Sequence, residues 1–164
     1  MLEMVELVSV ELRVFLMAML PFIELRGSIP FALVMGLSVE SAFFISLLGN
    51  IFPVIFILLF LDRVQRFLSK HFYFFNRFFA WLFERTRKKH QLKFEKWKEL
   101  ALVILVAIPL PFTGAWTGSL CAFLFQITVK KAFPLIALGV VIAGIIVSAA
   151  VLVFPEMLSF FIKS

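Results

Sequence analysis

The chain has almost no cysteine and little histidine: of 164 residues, one is Cys and two are His. Cys121, being alone, excludes an intrachain disulfide and a cysteine-rich metal site and leaves the redox compartment open; it reads as a small packing residue in a membrane interior. His71 and His90 have no second ligand at metal spacing, so both read as surface histidines and neither a metal nor a cofactor is expected. No Ser/His or Cys/His arrangement marks a nucleophile, which argues against an enzyme. Charge is scarce as well, at 16%, and is missing altogether from Ser41 to Leu61 and from Ala132 to Phe154. What fills the chain is apolar: 63% hydrophobic residues, 23 Phe and a mean hydropathy of +1.08. A soluble domain of this size could not cover that much apolar surface, so the expected class is an all-α, multi-pass integral protein of the inner or plasma membrane. The start, with Glu3, Glu6 and Glu11 ahead of Arg13, is unlike the positive start of a cleaved signal, and this segment is expected to be retained.

The two uncharged stretches meet the roughly 20 apolar residues that a helix needs to cross a bilayer core. Four shorter apolar runs, Val14 to Ile23, Ile29 to Val39, Leu100 to Phe112 and Leu120 to Val129, flank breaks that carry Gly and Pro. At about 1.5 Å per residue each spans only about half of a ~30 Å core. Two such half-helices meeting at a turn make a re-entrant hairpin, which enters and leaves on one side. Its non-helical backbone must then lie inside protein or against a wet cavity. The alternatives are that each pair is one kinked spanning helix, or that Glu24 and Arg26 merely lie at the membrane surface.

These features recur at a separation of ninety residues. Leu20-Pro21-Phe22 returns as Leu110-Pro111-Phe112, and Val39, Ala42, Phe43, Leu48 and Gly49 return as Val129, Ala132, Phe133, Leu138 and Gly139. The break between the matched blocks is Glu24-Leu25-Arg26-Gly27-Ser28-Ile29-Pro30 in the first copy and Thr113-Gly114-Ala115-Trp116-Thr117-Gly118-Ser119 in the second. Duplicated interruptions of hydrophobic segments mark the sites of many transporters. The expected organisation is a first repeat over 1–61 (hairpin about 8–39, transmembrane helix 41–61), a connector over 62–99, and a second repeat over 100–164 (hairpin 100–129, transmembrane helix 132–154).

The connector holds Arg63, Arg66, Lys70, Arg77, Arg85, Arg87, Lys88, Lys89, Lys93, Lys96 and Lys98 against four acids, which places it in the cytoplasm. Wound as a helix, it sets Arg66, Lys70, Arg77 and Glu84 on one stripe opposite Leu68, Phe72, Phe75, Phe79 and Leu82. That describes an amphipathic helix in the headgroup plane, with membrane lipid rather than nucleic acid as its partner. Because a hairpin does not cross and each long helix does, the second repeat starts on the opposite side from the first. The repeat is therefore expected to be inverted, with Glu40 outside and Lys130 and Lys131 inside.

Glu24 and Arg26 are the only charges between Val14 and Val39, and intramembrane charges are functional by default. A helix starting near Ser28 would aim its free amides at the cavity beside Arg26, a pairing suited to phosphate or carboxylate. Glu24, at the end of the incoming half-helix, would be desolvated and inclined to hold a proton unless Arg26 pairs with it. A structural Glu24–Arg26 bridge is the alternative. Opposite them, Thr113, Thr117 and Ser119 offer hydroxyls, Gly114 and Gly118 permit close backbone approach, Pro109 and Pro111 stop the helix, and Trp116 lines the wall or faces lipid.

Leu20-Pro21-x-x-Glu24-Leu25-Arg26-Gly27-x-Ile29-Pro30, together with Pro109-Leu110-Pro111-x-Thr113-Gly114-Ala115-Trp116-Thr117-Gly118, resembles the paired signature of the small multidrug export family. That family is more distantly similar to the DedA and VTT membrane proteins, a likeness that implies paired re-entrant hairpins and lipid-carrier transport. Phe112 stands where many relatives carry glycine. The site residues expected from the two breaks are Glu24, Arg26, Gly27, Ser28, Pro30, Pro111, Thr113, Gly114, Trp116, Thr117 and Gly118. The leading expectation is a DedA-like transporter or lipid flippase for a small anionic or lipid-phosphate substrate, coupled to protons or another ion. The alternatives are a multidrug or cation exporter using Glu24 alone, and a lipid-shaping protein that transports nothing. Two crossing helices enclose little space, so a homodimer is expected. Gly139, Ala143, Gly144 and Ser148 give the last span a small-residue face that could meet another subunit or pack within one.

Overall fold

The computed structural model describes residues 9–71, 77, 92–110 and 113–154. They form α1 (Val10–Met19), α2 (Glu24–Val34), α3 (Val39–His71), α4 (Leu92–Ala107), α5 (Ala115–Leu124) and α6 (Val129–Val153). Ser9 caps α1 by accepting from the Leu12 amide at 3.3 Å, and Ser38 does the same for Ser41 at the head of α3 at 3.2 Å. Such caps satisfy donors that the first turn of a helix leaves free.

Two stretches are long and apolar enough to cross a membrane, Val39–Leu61 within α3 and Val129–Val153. Only 33% and 44% of their most apolar windows are buried within the chain, so Phe44, Leu48, Phe56, Leu138, Ile145 and Leu152 turn outward. In water such a surface would drive association, whereas lipid tails are as apolar as these side chains.

Helix α3 does not stop where its apolar stretch ends. It continues to His71, so Asp62 to His71, assigned to the connector from sequence, extend the spanning helix; no Gly or Pro after Pro53 interrupts it. Arg63, Phe67, Lys70 and His71 are exposed along this extension, as is Arg77. Leu92–Lys98, also assigned to the connector, begin α4. Most of the expected amphipathic stripe falls outside the described residues.

The ninety-residue repeat is present in the backbone. Both α2 and α5 end in a Schellman motif: the amides of Gly36 and Leu37 bond to Leu33 and Ala32, and those of Gln126 and Ile127 bond to Phe123 and Ala122. Positive φ occurs at matched positions, Glu24 with Gly114 and Gly36 with Gln126. Burial from 23 to 50 matches that from 113 to 140 except at the pairs Pro30/Leu120, Val34/Leu124 and Leu37/Ile127. Packing follows the same rule. α1 lies on α2 and α3 as α4 lies on α5 and α6; α2–α3 matches α5–α6 and α2–α6 matches α3–α5, with α3–α6 at the centre.

Close approach at the helix crossings is set by glycine. A Cβ on Gly49 would stand 2.5 Å from the Phe15 carbonyl oxygen of α1, and one on Gly139 would stand 2.6 Å from Val106 Cβ of α4. Gly144 sits against the Phe43 ring, where a Cβ would lie 2.6 Å from Cε2. The small-residue face of α6 is thus used within the chain, where it receives α4 and α3.

Candidate functional site

The first break is made by Pro21. A residue before proline is pushed out of the helical region, and Leu20 is extended, with φ −74° and ψ 136°. After the short link Leu20–Ile23 the chain turns into α2 at Glu24, whose φ of 49° is left-handed and costly for a residue with a side chain. The expected helix start near Ser28 is therefore corrected to Glu24, which heads α2 instead of ending α1. Gly27, Ser28 and Pro30 lie inside α2. Pro30 only removes a donor to the Arg26 carbonyl, and burial of Leu25, Ile29 and Ala32 holds the helix across it.

The second break is longer, Ile108–Gly114, and its carbonyls gather around one hydroxyl. Thr113 Oγ1 lies 2.9 Å from the Ile108 carbonyl oxygen and 2.8 Å from that of Leu110, and it accepts from the Leu110 amide at 3.3 Å. Arg26 reaches across from α2 to this cluster. Its Nη1 donates to the Leu110 carbonyl, and its Nη2 donates to the Ile108 carbonyl at 3.3 Å and to Thr113 Oγ1 at 3.1 Å. A cation is thereby set on the C-terminal end of α4, where the helix dipole favours it.

Glu24 makes the complementary contact. Its side chain is 4% exposed, the Trp116 amide donates to its Oε1 at 3.4 Å, and the Ala115 amide also faces it. The N-cap of α5, Gly114, supplies no side-chain bond, so the Glu24 carboxylate caps α5 from the other copy. Gly114 has φ 152°, and a Cβ there would overlap the Glu24 carboxylate. Only glycine serves at this point.

Trp116 completes the exchange. At the position matching Arg26, its Nε1 donates to the Met19 carbonyl at 3.1 Å. Arg26 thus closes the end of α4 and Trp116 the end of α1, each from the helix that follows the opposite break. The two charges are met by the partner break, in place of the Glu24–Arg26 bridge considered from sequence.

Of the expected site residues, Glu24, Arg26, Thr113, Gly114 and Trp116 meet at this junction. Ser28 is buried one turn along α2 and donates to Ser46 Oγ of α3 at 2.7 Å. Gly27 lies against Ile23, and Gly118 packs on Val106, Leu102 and Ile136. Pro30 is buried in α2, Thr117 is half-buried in α5, and Pro111 lies outside the described residues. The carbonyls of Met19, Ile108 and Leu110 were missed, as were Ser46 and Asn50. The ungapped pairing of Arg26 with Trp116, two long donors at one register, was the available signal. A groove of about 260 Å³ lies elsewhere, lined by Val39, Glu40, Phe43, Phe44, Ile145 and Ser148.

Residues 24–146 match the family model described as "Putative small multi-drug export protein". The chain belongs to this family. The matched region begins at Glu24 and holds both α2 and the whole second break. With its two apolar spanning helices this family member is a membrane protein, and the family's description is one of export. No curated protein and no solved structure matches the chain.

Proposed function

We propose that this small multidrug export family member is a cation-coupled membrane exporter whose working part is the junction of the two breaks, with Glu24 as the exchangeable charge. The observation that carries the reading is the capping across copies: Glu24 and Arg26 of the first copy close α5 and α4 of the second, and Trp116 of the second closes α1 of the first. Neutralising Glu24 with a proton or another cation would weaken its hold on the α5 amides. The two halves would then be free to part, which is what alternating access between repeats needs.

The proposed frame is an inverted pair, each copy a re-entrant hairpin followed by a spanning helix. The repeated packing supports it, as does the placing of Lys130 and Lys131 at the position where the first copy has Glu40 and Ser41. In that frame the basic connector is cytoplasmic, and a second copy of the chain shields the junction from lipid. Transport, rather than catalysis, suits a site with one carboxylate and no nucleophile.

A second reading is favoured by one atom. Arg26 Nε is buried and has no hydrogen-bond partner among the described residues, which leaves it able to meet an anionic or lipid-phosphate substrate in a DedA-like flippase. Here Arg26→Lys separates the two: it keeps the charge but loses the forked donor geometry. Anion transport should collapse in that variant, whereas cation export through Glu24 should persist.

The main test is reconstitution into vesicles under an imposed pH gradient, with a cationic dye and a lipid phosphate as substrates. Glu24→Gln is expected to lower gradient-driven flux about tenfold or more, the size of effect for losing an essential ionisable group. Flux equal to wild type would overturn the reading.

A further inference from the structure

The duplication supplies an internal control for every buried residue. Along the α2–α3 hairpin of the first copy the interior side chains Glu24, Ser28, Ser46 and Asn50 are all buried, at 4%, 0%, 0% and 1% exposure. Their ninety-residue counterparts are Gly114, Gly118, Ile136 and Val140, likewise buried. The same backbone packs well around an apolar set in the second copy. Packing of the hairpin therefore does not require Ser28, Ser46 and Asn50, and Glu24 is accounted for only in part by its cap on α5.

Helix register brings these four groups to one stretch of the α2–α3 interface. Glu24 and Ser28 are one turn apart on one face of α2, as Ser46 and Asn50 are on α3. Only four residues join the two helices and they pack side by side, so they run antiparallel. The Ser28 to Ser46 hydrogen bond of 2.7 Å fixes their register. That register sets Asn50 level with Glu24. Asn50 Oδ1 is buried without a partner among the described residues, an expensive arrangement inside a low-dielectric core unless something binds there.

Resting on the cation-coupled reading above, we propose that Glu24, Ser28, Ser46 and Asn50 form a binding site for a dehydrated sodium ion. The donors are a carboxylate, two hydroxyls and a carboxamide oxygen, a hard, all-oxygen set that suits an alkali ion rather than a transition metal. Glu24 is the one carboxylate of the set and Arg26 lies two residues away, so a monovalent ion leaves less net charge buried than a divalent one would. Few ligands in a tight interhelical space favour the smaller sodium over potassium. The neighbouring cation, Arg26, donates through both Nη atoms to Ile108, Leu110 and Thr113, so it acts on Glu24 through its charge and those atoms are not donated to the niche. Because Glu24 also caps α5, one carboxylate serves both the niche and the junction. Ion occupancy and the hold between the two halves are thereby linked.

The test is thermal unfolding of the purified full chain in detergent, titrated with sodium, potassium or choline chloride at constant ionic strength. Sodium should raise the Tm saturably, potassium less, and choline not at all. Asn50→Val installs the residue that the second copy carries at this place and should fold, but its half-saturating sodium concentration should rise roughly tenfold or more. Ser28→Ala, a smaller change, should weaken sodium in the same direction. Wild-type curves that coincide in sodium and choline would mean that water alone fills the niche and would overturn the proposal, as would an unaltered sodium response in Asn50→Val. If proton-driven flux still depends on Glu24 while sodium has no effect, the site falls and the export reading stands. If Glu24→Gln transports normally, the export reading falls instead.

Discussion

The first break is short and charged, Leu20 to Ile23 leading into Glu24 and Arg26, while the second is long and neutral, Ile108 to Gly114. Each end of a short helix leaves amides or carbonyls that the helix itself cannot satisfy. In the second break the exposed carbonyls of Ile108 and Leu110 are met by Arg26, and the amides at the head of α5 by Glu24. In the first break the Met19 carbonyl is met by Trp116. The copies have diverged in complementary directions, so that one contributes charge and the other the backbone dipoles that charge seeks. An asymmetry that reads as decay in an aligned sequence is a lock between halves.

The largest expected effect breaks that lock at its tightest point. Gly114→Ala must place a Cβ on the Glu24 carboxylate and hold φ 152°, a conformation available essentially to glycine alone. Destabilisation of about 3 kcal/mol or more is expected, read as a lowered midpoint in detergent melts. Gly36→Ala is the comparison. Its φ is 86° but nothing lies within 4 Å of the added atom, so about 1 kcal/mol is expected. Equal losses at the two glycines would show that Glu24 does not press on Gly114.

Next come the two donors that close the ends of α4 and α1. Arg26→Gln removes a charge-assisted set of contacts and leaves the Ile108 and Leu110 carbonyls to Thr113, at about 2 kcal/mol. Trp116→Phe removes a single neutral bond to Met19 and keeps most of the ring, at about 1 kcal/mol. Chemical denaturation of both variants and of the double variant checks the comparison. If Trp116→Phe costs as much as Arg26→Gln, the charged closure is worth no more than the neutral one.

Much of this is legible in the sequence alone. Two uncharged stretches are read as spans because length and hydropathy decide that reading alone, and the repeat survives in Pro21, Gly49 and Gly139 because turns and close crossings tolerate few substitutes. Two residues of the junction, Glu24 and Arg26, were legible too, since they are conspicuous against an apolar background. The start of α2 was not. Gly27 and Pro30 look like breakers, yet burial of Leu25, Ile29 and Ala32 outweighs one missing hydrogen bond, and only Pro21 turns the chain. The extension of α3 to His71 was hidden because a change from apolar to basic sequence marks a membrane boundary, not a helix end. The partners of Glu24 and Arg26 were hidden for a deeper reason. Apart from the Thr113 hydroxyl they are backbone groups, which every residue carries, so no side-chain motif announces them.

The smallest predicted effect tests the copies where neither carries chemistry. Gly36 and Gln126 occupy the same C-terminal position after α2 and α5, and both have positive φ, 86° and 54°. The Schellman bonds on either side are equivalent, so the residue type at the positive-φ position is the difference these variants exchange. Glycine enters this conformation without the Cβ penalty that Gln126 bears. Gln126→Gly should therefore stabilise the chain by about 0.5–1 kcal/mol, less whatever freedom glycine adds to the unfolded state. Gly36→Gln should destabilise it by a similar amount. A rise in Tm for the first variant and a fall for the second would establish that the two turns are energetically interchangeable. A fall in both would mean that the Gln126 side chain makes an interaction worth more than its strain, and the repeat would then be functionally asymmetric at its surface turns as well as at its breaks.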